Sequence, residues 1–215
     1  MKRLVVLALV PACFSSRGGD TKASCPTDRS ADIGLQEDVA KLAGCTELSG
    51  VVIRTGATID VGALKELESI AGDLTIGPTV GLDEAAFNGL LRVGGTIRVA
   101  SNGSLRGLYF PRLESIGRVE IENNAVLTTI SLPRLARVQG ALVIADNDGL
   151  EMLSAPELAT VGKELVIAGH PRLQMLDMTR LARVEGVRVE GNPKLAADVI
   201  EQLTSKSALD TPPAP

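Results

Sequence analysis

Apolar residues recur along the middle of this chain with a fixed period of 22–23 residues. Each repeat opens with two apolar residues separated by one position, which is the alternation of a β-strand with one buried face. The six openings in register are Leu74/Ile76, Ile97/Val99, Val119/Ile121, Leu142/Ile144, Leu165/Ile167 and Val187/Val189. A repeat of this length predicts a solenoid, in which each coil buries its apolar edge only against the neighbouring coils.

A polar residue stands five positions after the start of each opening, and a leucine follows three positions later. The polar residues are Thr79, Asn102, Asn124, Asn147, His170 and Asn192, and the leucines are Leu82, Leu105, Leu127, Leu150, Leu173 and Leu195. An inward asparagine at the corner after a strand can bond backbone groups that would otherwise be buried unpaired, at a cost of about 1–3 kcal/mol each. We therefore interpret this column, in which His170 replaces asparagine, as a structural ladder that stacks from coil to coil.

The remainder of each repeat predicts two further short segments. Apolar residues 11 and 13 positions after the start have strand periodicity, and proline follows them in three repeats, which opposes a long helix. These prolines are Pro111, Pro133 and Pro156. Leucine at position 16 and isoleucine or valine at position 19 complete the inward set. We therefore predict an all-β solenoid whose coils consist of a strand, a turn, a short strand, a bend and a third short segment.

The ends of a solenoid lack a neighbour on one side and therefore need caps. Residues 30–43 carry apolar residues on a rough helical stripe, and a glycine follows as a stop, so they predict an N-terminal capping helix. Val51 and Ile53 lie one period before the first opening and predict a degenerate first coil. Residues 194–206 predict a closing amphipathic helix, and the proline-rich stretch after it is expected to be disordered.

The N-terminus has the pattern of an export signal. Lys2 and Arg3 precede an apolar run that is too short to span a bilayer. The segment Val10-Pro-Ala-Cys13 resembles a bacterial lipobox, which predicts cleavage before Cys13 and a lipid on its sulfur; a plain signal peptide cut a few residues later is the alternative. The predicted organisation is a signal peptide at 1–12, a flexible tether at 13–24, one domain at 25–206 and a disordered tail at 207–215. It implies a lipoprotein outside the cytoplasm or, alternatively, a secreted or periplasmic soluble protein.

The sequence contains three cysteines. If Cys13 carries the lipid, Cys25 and Cys45 remain as a pair in an oxidising compartment, and a disulfide between them is expected. Closing a loop of about twenty residues would stabilise the N-terminal end by about 3 kcal/mol. Two free thiols or a metal pair are the alternatives, although a metal site needs more ligands than two cysteines and the single histidine supply.

Several phrases of the chain form a recognisable combination. They are Cys25-Pro26, the predicted capping helix, Cys45, the Gly50-Val-Val-Ile53 strand, Phe110-Pro-Arg-Leu-Glu-Ser-Ile-Gly117 and Val119-Glu-Ile-Glu-Asn-Asn124. This combination resembles the receptor L-domain family, the ligand-binding lobes of insulin-receptor-like and epidermal-growth-factor-receptor-like ectodomains. The resemblance covers residues 25–200 and implies a single-stranded right-handed β-helix. This sequence lacks a cysteine-rich module, a second lobe, a transmembrane helix and a kinase, so growth-factor binding is not implied.

Composition argues against several kinds of ligand. The formal net charge is −4 and the pI is near 5.2, whereas phosphate binding needs a basic stripe, so a nucleic-acid role is not expected. The aromatic residues are Phe14, Phe87, Phe110 and Tyr109, and there is no tryptophan. Because glycans usually stack on aromatic side chains, a protein partner is favoured over a glycan, and Tyr109 is interpreted as incidental.

Residues able to carry chemistry are few, and each has a structural interpretation. His170 is the only histidine and occupies a ladder position. The stretch Asp146-Asn147-Asp148-Gly149 has the start of a calcium loop but lacks the later acidic ligands, so a turn is expected. Asn102-Gly103-Ser104 matches a glycosylation sequon, but Asn102 is a ladder residue and should be buried. We therefore expect no enzyme activity, no cofactor and no metal.

The remaining candidate for function is the outer surface of the predicted sheet. Residues between and after the inward pairs project outward and align from coil to coil. The candidate binding face consists of Arg98, Glu120, Glu122, Val143, Ala145, Val166, Ala168, Arg188 and Glu190. Its centre is predicted to be an exposed apolar patch rimmed by charge, which can mark a protein interface, although β-branched residues also simply favour strands. We therefore predict a non-enzymatic cell-surface or periplasmic binding module that recognises a protein, with a structural envelope spacer as the alternative.

Overall fold

The computed structural model describes residues 25–207. The predicted signal peptide, Cys13, the tether and the tail from residue 208 onward lie outside the described residues. The described chain is a β-solenoid of about seven turns with two helices, and its strand pairings are parallel because each coil returns to the same side one turn later. The prediction of an all-β solenoid is confirmed.

Within residues 25–207 the chain forms seventeen strands, two α-helices and one 3₁₀ turn. The strands are β1 (Ser30–Ile33), β2 (Glu47–Leu48), β3 (Gly50–Thr55), β4 (Ser69–Ile70), β5 (Leu74–Thr79), β6 (Glu84–Ala86), β7 (Arg92–Ala100), β8 (Gly107–Tyr109), β9 (Ser115–Glu122), β10 (Thr129–Ser131), β11 (Arg137–Val138), β12 (Leu142–Ala145), β13 (Met152–Ser154), β14 (Thr160–Val161), β15 (Glu164–Ala168), β16 (Met175–Asp177) and β17 (Gly186–Glu190). The helices are α1 (Gln36–Lys41) and α2 (Ala197–Thr204), and the 3₁₀ turn is Val61–Leu64.

The repeat openings form one large sheet with the strand order β1-β3-β5-β7-β9-β12-β15-β17. Equivalent positions of successive repeats pair directly, so that Leu142 lies opposite Leu165 and Ile144 lies opposite Ile167. These inward residues are buried, while the positions between them face outward. A period of 22–23 residues therefore sets the register of the whole sheet, because a slip of one residue would expose the apolar side chains.

The other two segments of each coil pair in the same way. The small sheet has the order β16-β13-β10-β8-β6, and the predicted apolar residues at position 11 lie within its strands, whereas those at position 13 follow directly after the strands end. A third side is formed by β2, β4, β11, β14 and the first parts of β7 and β9, which continue through a corner into the large sheet. Each coil therefore presents three extended segments around a common core.

The core inside the coils is almost entirely aliphatic. The leucines of the repeat, such as Leu105, Leu127 and Leu150, are fully buried. Phe87 and Phe110 stack on each other in adjacent coils, with ring centroids 5.3 Å apart. This packing is continuous from the first coil to the last, as expected for a fold in which each coil is stabilised by its neighbours.

Glycines at the corner between the third side and the large sheet allow the coils to stack closely. A Cβ atom added at Gly117 would lie 2.3 Å from the carbonyl oxygen of Gly94, and one added at Gly162 would lie 2.0 Å from the carbonyl oxygen of Gln139. Any larger residue at these two positions would force the neighbouring coils apart. This close approach explains why glycine closes most of the repeats.

The N-terminal end begins with a strand where a helix was predicted. The prediction of a helix over residues 30–43 is wrong outside Gln36–Lys41, and its first four residues form β1 and pair with β3. Ala31 and Ile33 are buried and their neighbours are exposed, which is strand periodicity. They extend the apolar row of Val51 and Ile53, and this gain in buried surface decides against a helix.

A short helix and a disulfide close this end of the solenoid. In α1 the carboxylate of Asp38 accepts the N–H of Leu35, which satisfies a backbone group at the start of the helix. The predicted disulfide between Cys25 and Cys45 is present. It ties the segment before β1 to the turn after α1, so the cap is held covalently as well as by packing.

The C-terminal helix is shorter than residues 194–206. The amide of Leu195 donates to the carbonyl of Asn192, so the first residues of that stretch belong to the last ladder corner and α2 begins only afterwards. Leu203 of α2 is buried against the end of the core. Neither helix of the described chain is long and apolar enough to cross a membrane.

Candidate functional site

Each asparagine or histidine of the ladder is turned into the core by a residue with left-handed backbone directly before it. These preceding residues have φ between 51° and 72° and are Ser101, Asn123, Asp146, Gly169 and Gly191. Glycine and short polar residues adopt this conformation at the lowest cost. The left-handed residue bends the chain at the end of the strand. The alternation of outward and inward side chains stops there, and the next side chain points inward. The ladder side chains are accordingly at most 6% exposed.

Asn124 shows how one ladder residue joins its neighbours. Its Oδ1 accepts the backbone N–H of Asn102 at 3.2 Å and the side-chain amide of Asn102 at 2.9 Å. Its Nδ2 donates to the carbonyl of Val99 in the preceding coil at 3.0 Å and to Oδ1 of Asn147 in the following coil at 2.9 Å. One buried amide therefore satisfies groups in three successive coils.

The column continues beyond the asparagines at its N-terminal end. The hydroxyl of Thr79 donates to Oδ1 of Asn102 at 2.8 Å, and the hydroxyl of Thr55 donates to the carbonyl of Gly34 at 2.7 Å. Thr55 is a ladder residue that the repeat did not reveal, because the register between β3 and β5 shifts after Ile53. The ladder therefore reaches into the first coils.

His170 occupies its ladder position as a neutral imidazole. Its Nδ1 accepts the backbone N–H of Asn147 at 3.3 Å, so Nε2 carries the proton and donates to the carbonyl of Ile144 at 3.1 Å. Burial lowers the pKa of His170, and this outweighs the opposing influence of the two carbonyls around the ring and of the carboxylates of Asp146 and Asp148. Protonation would convert Nδ1 from an acceptor to a donor and break the bond from Asn147.

The other residues considered for chemistry are also occupied within the ladder corners. Nδ2 of Asn147 donates to the carbonyls of Ile121 and Ala145, both at 2.9 Å, so the stretch Asp146–Gly149 is a corner of the ladder. Asn102 of the glycosylation sequon is 2% exposed. Among residues 25–207 no group of three or more histidine, cysteine or acidic side chains is arranged to hold a metal ion.

Ion pairs organise the outer face of the large sheet at both sides of the predicted patch. On β7 and β9, Glu120 accepts from Arg98 at 2.5 Å and from Arg118 at 2.8 Å, and we call these three residues the Glu120 cluster. On β15 and β17, Arg188 lies 2.8 Å from Glu190 and 3.7 Å from Glu164, and we call these three residues the Arg188 cluster. Every arginine in the two clusters therefore has an acidic partner.

The apolar centre of this face is less exposed than predicted. The apolar strip consists of Ala141, Val143, Ala145, Val166 and Ala168. Val166 is only 2% exposed, so the prediction that it forms part of an exposed patch is wrong. In register it lies between Val143 and Arg188, whose side chain reaches Glu164 on the strand of Val166, so its neighbours cover it from both sides. Val143, Ala145 and Ala168 remain half-buried.

Tyr109 has a packing role on the small sheet. A Cβ atom added at Gly107 would lie 2.4 Å from Cε2 of Tyr109, so the tyrosine ring lies over the glycine two residues before it. The ring is half-buried in this position. Sequence alone did not indicate this contact, because the pairing of an aromatic residue with a glycine on one strand face is set by the side-chain rotamer.

Comparison with protein-family models, with curated proteins and with solved structures finds no match to this chain. The likeness to receptor L-domains therefore stays a prediction that rests on the motifs themselves. The solenoid architecture is consistent with it, but parallel coils of this kind are not specific to one family.

The ladder predicts a large difference between buried and exposed asparagines. Replacing Asn124 with alanine should lower the free energy of unfolding by about 3 kcal/mol or more, since buried groups at Asn102 and Val99 lose their partners. Urea denaturation measures this change. The control is Asn88→Ala, which removes an exposed amide and should change the free energy by no more than about 0.5 kcal/mol. Equal effects of the two substitutions would contradict the ladder.

The single histidine predicts a pH dependence of stability. Because burial lowers the pKa of His170 in the folded state, the unfolded chain binds the proton more readily as the pH falls below the ordinary value of 6.5. The free energy of unfolding should therefore fall between pH 7 and pH 5, by at most about 1.4 kcal/mol per pH unit for one proton. The measurement is urea denaturation at a series of pH values.

The matched variant is His170→Asn, which restores the residue found at the other ladder corners. It should remove most of the slope between pH 7 and pH 5, while the carboxylates continue to titrate in both proteins at lower pH. If the wild type and the variant show the same slope, the histidine is not the group that responds.

Proposed function

We propose that this protein is a non-enzymatic interaction module of the cell envelope that recognises another protein through the outer face of its large sheet. No cofactor or metal is part of the proposal. The observation that carries it is the apolar strip between the Glu120 cluster and the Arg188 cluster. An apolar centre with a charged rim is the usual anatomy of a protein interface.

The side chains of the strip suit contact with a second protein surface. Alanine and valine lie close to the backbone, so a partner can approach the sheet closely over several strands. The side chains of Arg98, Arg188 and Glu190 are more than half exposed and can exchange partners during binding, which favours orientation more than affinity. The strip is small, so the proposed contact is weak or transient.

A structural envelope spacer is the second candidate, and one observation favours it. Val166 is covered by its own neighbours, and the arginines of the face are already paired within the chain. A face whose charged groups are already paired and whose apolar side chains are already covered gains less binding free energy from contact with a partner. The two candidates differ in whether a change within the strip alters binding.

The proposed location is the outer side of a membrane, with a lipid attached to Cys13. The lipobox-like segment before Cys13 supports this location. The disulfide between Cys25 and Cys45 supports it independently, because such bonds form and persist in oxidising compartments. A soluble secreted or periplasmic protein is the alternative.

Placing positive charge in the strip tests the proposed interface. The variant Val143→Lys/Ala145→Lys should lose crosslinked partners from the native envelope, because it introduces charge into the apolar centre. Both positions lie opposite glutamates, Val143 opposite Glu120 and Ala145 opposite Glu122, so the lysines should be tolerated by the fold. Thermal unfolding checks that tolerance, and crosslinking followed by mass spectrometry measures the partners.

The control variant is Thr129→Lys/Ser131→Lys, which makes the same charge change on the outer face of the small sheet. It should recover the same partners as the wild type. If the strip variant also recovers them, the strip is not the interface. If wild type yields no specific partner, the spacer candidate replaces the proposal.

Mass spectrometry of the mature N-terminus tests the anchor. We expect a chain that begins at Cys13 and carries acyl mass, and Cys13→Ser should move the protein from the membrane fraction to the soluble fraction. Cys25→Ser/Cys45→Ser serves as the control, since it removes two cysteines but leaves the anchor. An N-terminus that starts after Cys13 without acyl mass would rule the lipid out.

A further inference from the structure

The third side of the solenoid carries arginines on alternate coils. Strand pairing aligns one outward position through seven coils, and its residues in order are Glu47, Ser69, Arg92, Ser115, Arg137, Thr160 and Arg183. We call this column the arginine row. Since neighbouring strands lie about 4.8 Å apart, its three arginines are spaced about 10 Å apart along a line about 19 Å long.

The three arginines of the row, and two more beside it, are exposed and unpaired. Arg92, Arg137 and Arg183 are exposed, and so are Arg112 and Arg134, which lie three residues before the row in two coils. Within residues 25–207 none of these five guanidinium groups lies within 4.0 Å of a carboxylate. The arginines of the Glu120 and Arg188 clusters on the large sheet are all paired. Arginines are therefore neutralised by acidic partners on the large sheet but not in the arginine row of the third side.

The third side is basic although the protein is acidic. Over its last five coils the third side comprises residues 88–95, 111–118, 134–140, 156–163 and 179–186. The two coils before them are acidic, since they carry Glu47, Glu66 and Glu68 against Lys65. Counting Arg118, whose side chain is paired with Glu120 of the large-sheet face, these five segments contain eight basic and three acidic residues, a net charge of +5, whereas the whole sequence has −4. The acidic residues are Glu114, Glu157 and Glu185, and Glu157 is paired with Arg180. The overall charge therefore conceals a local basic stripe.

We propose that the third side binds a linear acidic polysaccharide that lies along the solenoid axis. Because the stripe is positively charged, it favours a polyanion as its ligand. Because the arginines lie in one row, they favour a linear polymer. Carboxylates that recur along such a polymer can meet successive arginines, each of which can hold a carboxylate through two parallel hydrogen bonds. The hydroxyl groups of Ser115 and Thr160 lie between the arginines, where they can bond sugar hydroxyls.

Recognition through arginine and carboxylate does not require aromatic stacking. The scarcity of aromatic side chains, for which the sequence favoured a protein over a glycan, therefore does not argue against an acidic polysaccharide. The described part of the third side exposes no aromatic residue, and that absence disfavours single-stranded nucleic acid, whose bases need stacking platforms. A single row also differs from the broad basic surface that suits a membrane. The arginine row is separate from the large-sheet face, so a test of polysaccharide binding is independent of the proposed protein interface.

Binding of the purified protein to polygalacturonate tests the proposal, with uncharged dextran as the reference polymer. The test variant is Arg92→Ser/Arg137→Ser/Arg183→Ser, since serine occurs naturally at two positions of the same row and should be tolerated. The matched control is Arg54→Ser/Arg106→Ser/Arg172→Ser, which removes three exposed arginines outside the third side. Calorimetry at low salt gives the dissociation constants, and thermal unfolding verifies that both variants fold.

We expect the row variant to bind at least about tenfold more weakly, because three charge-assisted contacts are lost. The control should change by no more than about twofold, since exposed charges outside a site contribute little. Oligogalacturonates of increasing length should bind more tightly until they span from Arg92 to Arg183, after which affinity should level off.

Three results would overturn the proposal. The first is that the wild type does not bind polygalacturonate at low salt. The second is that both triple variants weaken binding equally, which would show an effect of overall charge alone. The third is that vesicles containing anionic lipid bind through the arginine row while the polymer does not, which would assign the row to a membrane surface.

Discussion

The inward hydrogen-bonding corner of each coil is the constraint on which this structure depends. Stacked coils bury their backbone at every corner, and each buried N–H or C=O must find a partner. The asparagine column meets this need. Asn124, for example, donates to the carbonyl of Val99 and accepts from the side-chain amide of Asn102, both in the preceding coil. Because the amides of Asn102 and Asn124 each bond both neighbouring coils, removing either would disturb both of its neighbours. The aliphatic core supplies most of the buried surface, but the ladder allows the coils to close around it.

A fold of this kind is stabilised only between neighbours, so its ends need separate solutions. At the N-terminal end the strand β1, the short helix α1 and a disulfide cover the first coil. At the C-terminal end α2 places Leu203 against the last part of the core. The two caps use different chemistry, and only the N-terminal one is covalent. That asymmetry fits a domain whose N-terminal side is joined to a proposed membrane anchor.

The repeating geometry converts sequence columns into surfaces with distinct character. On the large sheet, the arginines are neutralised by glutamates on the same or adjacent strands, which leaves a flat face with a small apolar centre. In the arginine row of the third side, arginines alternate with serine and threonine and have no acidic partner among the described residues. The same residue type therefore contributes to a satisfied surface on one side and to an available charge on the other. The character of each surface of such a molecule depends on which residue type recurs at one position of successive coils.

The sequence by itself determined the solenoid, its register and its inward residues, because a period of 22–23 residues leaves one arrangement that buries the apolar positions. It also indicated the ladder column and the disulfide, since both follow from residue type and spacing. Tertiary structure decided the rest. Residues 30–33 join the sheet because β3 offers a partner, and Val166 is covered because Val143 and Arg188 lie beside it in adjacent coils. Arg98 and Arg180 have acidic partners more than twenty residues away in the chain, and only the stacking of coils brings those side chains together.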